Sequence, residues 1–240
     1  MKRYAILLGH SDGELATQID LLRVYNFLIS LKGGAWNDKE ICCKKNMSIE
    51  RLITLINQIK KSNIDYLFFY FSGHGKFKRS SVLELNPNGE TIDESVVSGL
   101  VPRQLNIYDC CRTLSDEIIS EETQKGLFSE NTSNIQYFRL LYENRIMQAF
   151  PQQMSLYSCE VGECSYDFGY GGIFTTQLLK TTKEISDRFL PVSDAFLNSF
   201  NPTMREAGKH GVEQHPDYFM AKLPTAKQLI LAVDDKYRSK

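Results

Sequence analysis

Tyr66–Gly75 reads YLFFYFSGHG, and a second stretch, Leu105–Arg112, reads LNIYDCCR. In the first, Tyr66–Phe71 is the longest unbroken apolar run of the chain; it has the length of a strand and lacks the polar alternation of a half-exposed one. It therefore predicts a strand buried on both faces, as in a parallel sheet covered by helices. Leu105–Asp109 predicts another. Each strand ends on chemistry: Ser72-Gly73-His74-Gly75 after the first, Cys110-Cys111-Arg112 after the second. In open α/β sheets ligands bind beyond the carboxyl ends of the strands. If these two strands are neighbours, an imidazole and a thiol meet there, the minimum apparatus for a thiol nucleophile.

Strand side chains alternate faces with period two, so Asp109 and Cys111 share one face and Cys110 points to the other. If Asp109 lines a pocket, Cys111 shares it and is the candidate nucleophile near His74, and Cys110 is a core residue. Gly73 and Gly75 are free to take positive φ and allow close backbone approach, and the Gly75 N–H is a candidate oxyanion donor. His10, His210 and His215 lie in polar or turn-like contexts and read as surface residues.

Outward from these motifs, strand and helix patterns alternate. Tyr4–Leu8 predicts a buried strand, Ala16–Leu31 a helix, and Lys39–Cys43 a weak strand. Ser48 is placed to cap a helix whose apolar stripe is Ile49, Leu52, Ile53, Ile56 and Ile59. Val82–Leu85 and Glu90–Ile92 flank Asn86-Pro87-Asn88-Gly89, a hairpin signature. Met154–Cys159 predicts a strand, Gly172–Lys180 and Val192–Phe200 predict helices, and Pro202 is expected to interrupt or restart the last one. Tyr218–Ala221 predicts a final strand. This alternation implies an α/β sandwich with a mostly parallel central sheet. The segment from Thr113 to Pro151 separates two strands and is helical in pattern only near Ile135–Phe150. It reads as a mobile or regulatory insertion, with Lys125, Arg139 and Arg145 as candidate self-cleavage sites.

The 240 residues fit a single domain, with 28 Lys+Arg against 29 Asp+Glu, 42% apolar and 24% charged residues. That balance excludes a disordered chain and supplies no cationic excess for nucleic acid. No apolar run is long enough to span a bilayer, and Tyr4–Leu8 is shorter than a signal-peptide core, so a cytoplasmic protein is expected. The six cysteines fall in the close pairs Cys42/Cys43, Cys110/Cys111 and Cys159/Cys164. Reduced thiols, mostly core filler, are the expectation; a zinc site lacks its CxxC spacing.

The two strand-end motifs resemble the histidine and cysteine motifs of the caspase/metacaspase group of clan CD cysteine peptidases. The resemblance extends through Ser155–Leu179 (SLYSCEVGECSYDFGYGGIFTTQLL), similar to the strand, aromatic loop and GxFTxxLL helix that follow the catalytic cysteine in that group. It also takes in Gly211–Pro216 (GVEQHP), similar to a late G–Q–P segment, and Ile19-Asp20, where metacaspases carry Asn-Asp. The resemblance implies a caspase-like three-layer α/β/α sandwich and a cysteine endopeptidase with no cofactor. It assigns His74 as base or acid, Cys111 as nucleophile, and the N–H groups of Gly75 and Cys111 as oxyanion donors. It further implies an acidic S1 pocket of Asp20, Ser72 and Asp109 that takes Arg or Lys at P1. Caspases proper carry glutamine two residues before the cysteine, where this chain has Asp109, and a carboxylate there selects a cation. The chain departs from metacaspases at Thr17, where they carry a cysteine, and at Arg112-Thr113. Many metacaspases depend on calcium through a cluster of aspartates; here only Asp93-Glu94 sits in a plausible region, so calcium dependence is not expected. Small bacterial relatives often act in defence by cutting a pore-forming or toxin protein, which makes such a partner an expectation here. Two rival readings are a non-proteolytic scaffold of the same fold and a thiol redox or metal protein.

Overall fold

The computed structural model describes residues 1–11, 15–114 and 132–236. Its elements in chain order are β1 (Arg3–Gly9), α1 (Leu15–Ile29), β2 (Ile41–Lys45), α2 (Ile49–Lys61), β3 (Tyr66–Gly73), β4 (Gly75–Phe77), β5 (Ser81–Glu84) and β6 (Thr91–Asp93). There follow α3 (Glu94–Val97), β7 (Arg103–Cys110), α4 (Thr132–Gln148), β8 (Gln152–Tyr157), α5 (Ile173–Lys180), β9 (Phe189–Pro191), α6 (Val192–Lys209), β10 (Asp217–Met220) and β11 (Ile230–Val233). Among the described residues no helix is long and apolar enough to cross a membrane.

The main sheet has six strands in the order β10-β8-β7-β3-β1-β2. All neighbours in it pair in parallel except β10, which runs antiparallel to β8. The period-two rule divides its side chains between two cores. Tyr66, Phe68 and Tyr70 of β3 join Leu105 and Ile107 of β7 in one core with α1, α4, α5 and α6. Leu67, Phe69 and Phe71 join Tyr108 and Cys110 in the other, against Leu52, Ile56 and Ile59 of α2. The central strands are buried on both faces because both are covered, giving the three-layer α/β/α sandwich.

The cap and hairpin follow their sequence signals. Ser48 Oγ accepts from the Arg51 N–H at the start of α2. β5 and β6 pair across Asn86–Gly89, and β4 adds a third strand. Pro202 lies inside α6 and does not interrupt it. Its ring nitrogen carries no hydrogen to donate to the carbonyl of Asn198, one turn earlier on an exposed stretch of the helix. Nor is the second half of the insertion a loose excursion. Phe138, Leu141, Tyr142 and Ile146 of α4 are buried in the first core, and α4 belongs to the sandwich. Residues 115–131, with Lys125, lie outside the described residues.

Candidate active site

β3 and β7 are adjacent, with Ser72 opposite Asp109 and Gly73 opposite Cys110. One residue beyond that last rung stand His74 and Cys111, at the carboxyl ends of β3 and β7. Cys110 is 2% exposed and lies in the opposite core.

Gly75 is pinned between two segments. A Cβ there would lie 2.7 Å from Cys110 Sγ and 2.8 Å from the Cys111 carbonyl oxygen, so no larger residue fits. Gly73 takes a positive φ of 142°, while Gly75 does not and is the first residue of β4. The Glu84 N–H donates to the His74 carbonyl, which makes Gly75 and Leu83 the non-hydrogen-bonded pair of the β4–β5 ladder. The Gly75 N–H therefore points away from β5. On that other side β4 bridges the residues after the cysteine, Lys76 pairing with Thr113 and the Phe77 N–H donating to the Thr113 carbonyl.

His10 corrects the expectation of a surface residue. It is 1% exposed, and its ring meets His74 edge-on with centroids 4.7 Å apart. Its N–H donates to the Ser72 carbonyl, and Thr17 Oγ1 donates to its carbonyl. Polar neighbours gave it the look of a turn, yet the end of β1 lies beside the end of β3. His215 is only half-exposed and pairs through Nδ1 with Glu163, at 2.6 Å. His210 is exposed, stacked on Phe168.

Asp20, Ser72 and Asp109 come together beneath the histidine and cysteine. Ser72 Oγ donates to Asp20 Oδ2 at 3.0 Å, and the Gly172 N–H donates to both Asp20 oxygens. Asp109 accepts from the Thr175 N–H, Thr175 Oγ1 and Ser165 Oγ. The loop from Tyr166 to Gly172 closes over both carboxylates. A Cβ on Gly172 would fall 2.2 Å from Asp109 Oδ2, and one on Gly171 2.4 Å from Asp20 Oδ1. Arg23 fastens the loop, donating to the Tyr170 carbonyl and to Thr176 Oγ1. Gln214, 1% exposed, holds its start by accepting from the Tyr166 N–H and donating to the Ser158 carbonyl. Arg23 carried no sequence signal, whereas Gln214 lay in the G–Q–P-like segment.

Burial, reinforced by the neighbouring Asp109 charge, drives the Asp20 carboxyl well above the usual aspartate range. The folded state thus holds the Asp20 proton more tightly than the unfolded chain. Its contribution to stability is full below pH 3.8 and is lost as pH rises towards the elevated value. Asp20→Asn removes that loss. The variant is expected to melt above wild type at pH 8 by about 2–4 °C per kcal/mol gained, with the gap closing towards pH 4. Thermal unfolding of both proteins between pH 4 and 8 checks this; a gap independent of pH would mean that Asp20 is charged in the folded state at every pH tested.

Arg112 is structural. Its side chain is buried over Tyr157, 4.1 Å from the ring centroid, and its Nη1 donates to Asp217 and to the Cys159 carbonyl. Asp93 caps α3 through the Ser95 N–H, and Glu94 accepts from the Ser81 N–H and Tyr157 Oη. Among the described residues no three His, Cys, Asp or Glu side chains are grouped as a metal would require. Arg139 pairs with Glu40 and Glu143, and Arg145 donates to the carbonyls of Thr225 and Gln228. Both sit within α4, which leaves neither as the extended, accessible segment that self-cleavage needs.

The family model described as Peptidase_C14, caspase domain, matches residues 2–226. The chain belongs to the caspase family. It is a caspase-like cysteine endopeptidase, and its substrates are proteins or peptides. Its fold is similar to that of caspase-1 from Spodoptera frugiperda in a crystal structure, with a TM-score of 0.60 and 12% identity, over 91% of this chain and 86% of that one. No curated protein matches the sequence.

Proposed function

We propose that this caspase-like peptidase cuts after Arg or Lys, with Cys111 as nucleophile and His74 as its acid–base partner. The observation that carries the specificity is the pair of carboxylates, Asp109 at the end of β7 and Asp20 brought from α1 against Ser72 beside it. A guanidinium entering this pocket replaces the Gly172 and Thr175 donors with charge-assisted bonds and favours the ionised form of Asp20 beside Asp109. The Tyr166–Gly172 loop moves aside for it. Cys111 passes its proton to His74 and its Sγ attacks the scissile carbonyl, and the N–H groups of Gly75 and Cys111 receive the oxyanion. His74 gives a proton to the departing amine, and water then hydrolyses the thioester.

One cut at an exposed basic residue is enough to release or activate a partner, and a pore-forming or toxin protein in a defence or cell-death pathway fits that chemistry. The described cysteines are all free, in keeping with a reducing, cytoplasmic setting. Profiling a peptide library with wild type and Cys111→Ala in parallel tests the reading: cleavage after Arg and Lys is expected from the first and none from the second.

A further inference from the structure

Cys111 has a thiol neighbour. Its Sγ lies 3.6 Å from the carbonyl oxygen of Ser165, the residue after Cys164, and the thiols of Cys111 and Cys164 perturb each other's titration. The contact is built by the backbone. The Arg112 N–H donates to the Glu163 carbonyl, and the Gly162 N–H donates to the Arg112 carbonyl, both at 2.9 Å. Glu163 is fixed in turn by the N–H and ring of His215, and Ser165 by Asp109. Cys164 is therefore held against Cys111 from both sides.

The other thiols are poorly placed to compete. Cys110 and Cys159 are 2% and 0% exposed, and the Cys159 thiol is engaged with the carbonyls of Cys110 and Glu163. Cys42 and Cys43 lie on β2, three strands from β7. Cys111 and Cys164 are both part-exposed, within reach of a small solute. Interaction with Cys111 outweighs burial and lowers the Cys164 thiol, whereas the same interaction, with burial, pushes Cys111 up. One proton of the pair is therefore held more loosely than that of a lone thiol, with Cys164 the favoured site of its loss.

We propose that Cys111 and Cys164 form a reversible disulfide, with a hydroperoxide as oxidant, that switches the peptidase off. The Cys164 thiolate attacks the terminal oxygen of the hydroperoxide; the S–O bond forms, the O–O bond breaks, and the alkoxide or hydroxide leaves and takes a proton from solvent. Cys111 then attacks the sulfenic sulfur; the S–S bond forms, the S–O bond breaks, and water departs with the Cys111 proton. Two thiols have supplied two electrons to the peroxide, and a dithiol reductant restores them. The nucleophile is thereby held in a form that reduction recovers, whereas a lone active-site thiol oxidises on to the sulfinic acid. The consequence for activity rests on Cys111 being the nucleophile; the disulfide itself does not.

The test treats reduced full-length protein with a few equivalents of hydrogen peroxide, blocks free thiols with N-ethylmaleimide, and maps unreduced tryptic peptides. The expected product is about 2 Da lighter than the starting protein, with Gln104–Arg112 linked to Ile146–Lys180. Cys110 and Cys159 share those peptides, so fragmentation must place the bond on Cys111 and Cys164. Activity on an Arg peptide is expected to vanish in step with the bond and return with dithiothreitol. In Cys164→Ser the same treatment should carry Cys111 to an acid that thiols do not rescue. Peroxide-inactivated wild type whose Cys164 is still fully alkylated, or whose Cys111 is bonded elsewhere, overturns the proposal. The linkage map needs neither the variant nor proteolysis, so a disulfide in a protein that cuts nothing would sink the nucleophile assignment alone.

Discussion

Cys111→Ala is expected to lower turnover of an Arg peptide by about four to six powers of ten, the usual scale for removing a nucleophile that works with a base. The neighbouring Cys110→Ala is expected to retain activity and to lose about 1–2 kcal/mol of stability. The contrast follows from a single strand. Ile107, Asp109 and Cys111 share one face, while Tyr108 and Cys110 pack into the other core. Alanine at 110 leaves a small cavity beneath Gly75, whose backbone rests against the Cys110 sulfur. A peptidyl chloromethyl ketone supplies the direct check. Mass spectrometry should find it on Cys111 in wild type and in Cys110→Ala, and on no residue in Cys111→Ala; label on Cys110 would reverse the assignment.

Asp109→Ala is expected to lose about 3–5 kcal/mol of transition-state binding for Arg substrates, the usual cost of removing one partner of a buried charge pair. That corresponds to roughly two to nearly four powers of ten in kcat/KM. Alanine also strands three donors, those of Ser165 and Thr175. A second variant therefore separates charge from structure. Asp109→Asn keeps the shape and one acceptor oxygen and removes the charge, and it should lose Arg and Lys cleavage to a similar extent. In both variants alkylation of Cys111 by iodoacetamide should proceed near the wild-type rate, because that reagent needs no P1 pocket. An Asn variant that cuts Arg peptides at full rate would mean that the carboxylate holds the loop and does not read the substrate.

The parts of the fold legible in the sequence are those governed by local pattern. Tyr66–Phe71 declared a doubly covered strand, Asn86–Gly89 a hairpin, and the parity of Asp109, Cys110 and Cys111 the division between site and core. What escaped depends on tertiary contact. β4 is three residues, Gly-Lys-Phe, with no pattern of its own, and it exists because β5 and Thr113 flank it. β11 is a short apolar run whose partner, β9, contains Pro191. His10 is surrounded in sequence by Gly9, Ser11, Asp12 and Gly13, and only the pairing of β1 with β3 brings it to His74. Cys159 is the core filler that cysteines usually are, but Cys164 is not. Its place beside Cys111 is set by backbone bonds to Arg112, which sequence spacing cannot reveal. The closed loop over Asp20 and Asp109 escaped for the same reason: Arg23 and Tyr170 are 147 residues apart.

The central claim, a cysteine peptidase that selects a basic P1 side chain, is tested most directly by a P1 series in one fixed peptide context. Arg, Lys, Gln, Leu and Asp are compared by kcat/KM with the wild-type enzyme. Arg and Lys should be cleaved and the other three should not, with Arg ahead of Lys because two carboxylates match a planar fork better than a point charge. Preferred cleavage after Asp, or equal rates across the series, would contradict it.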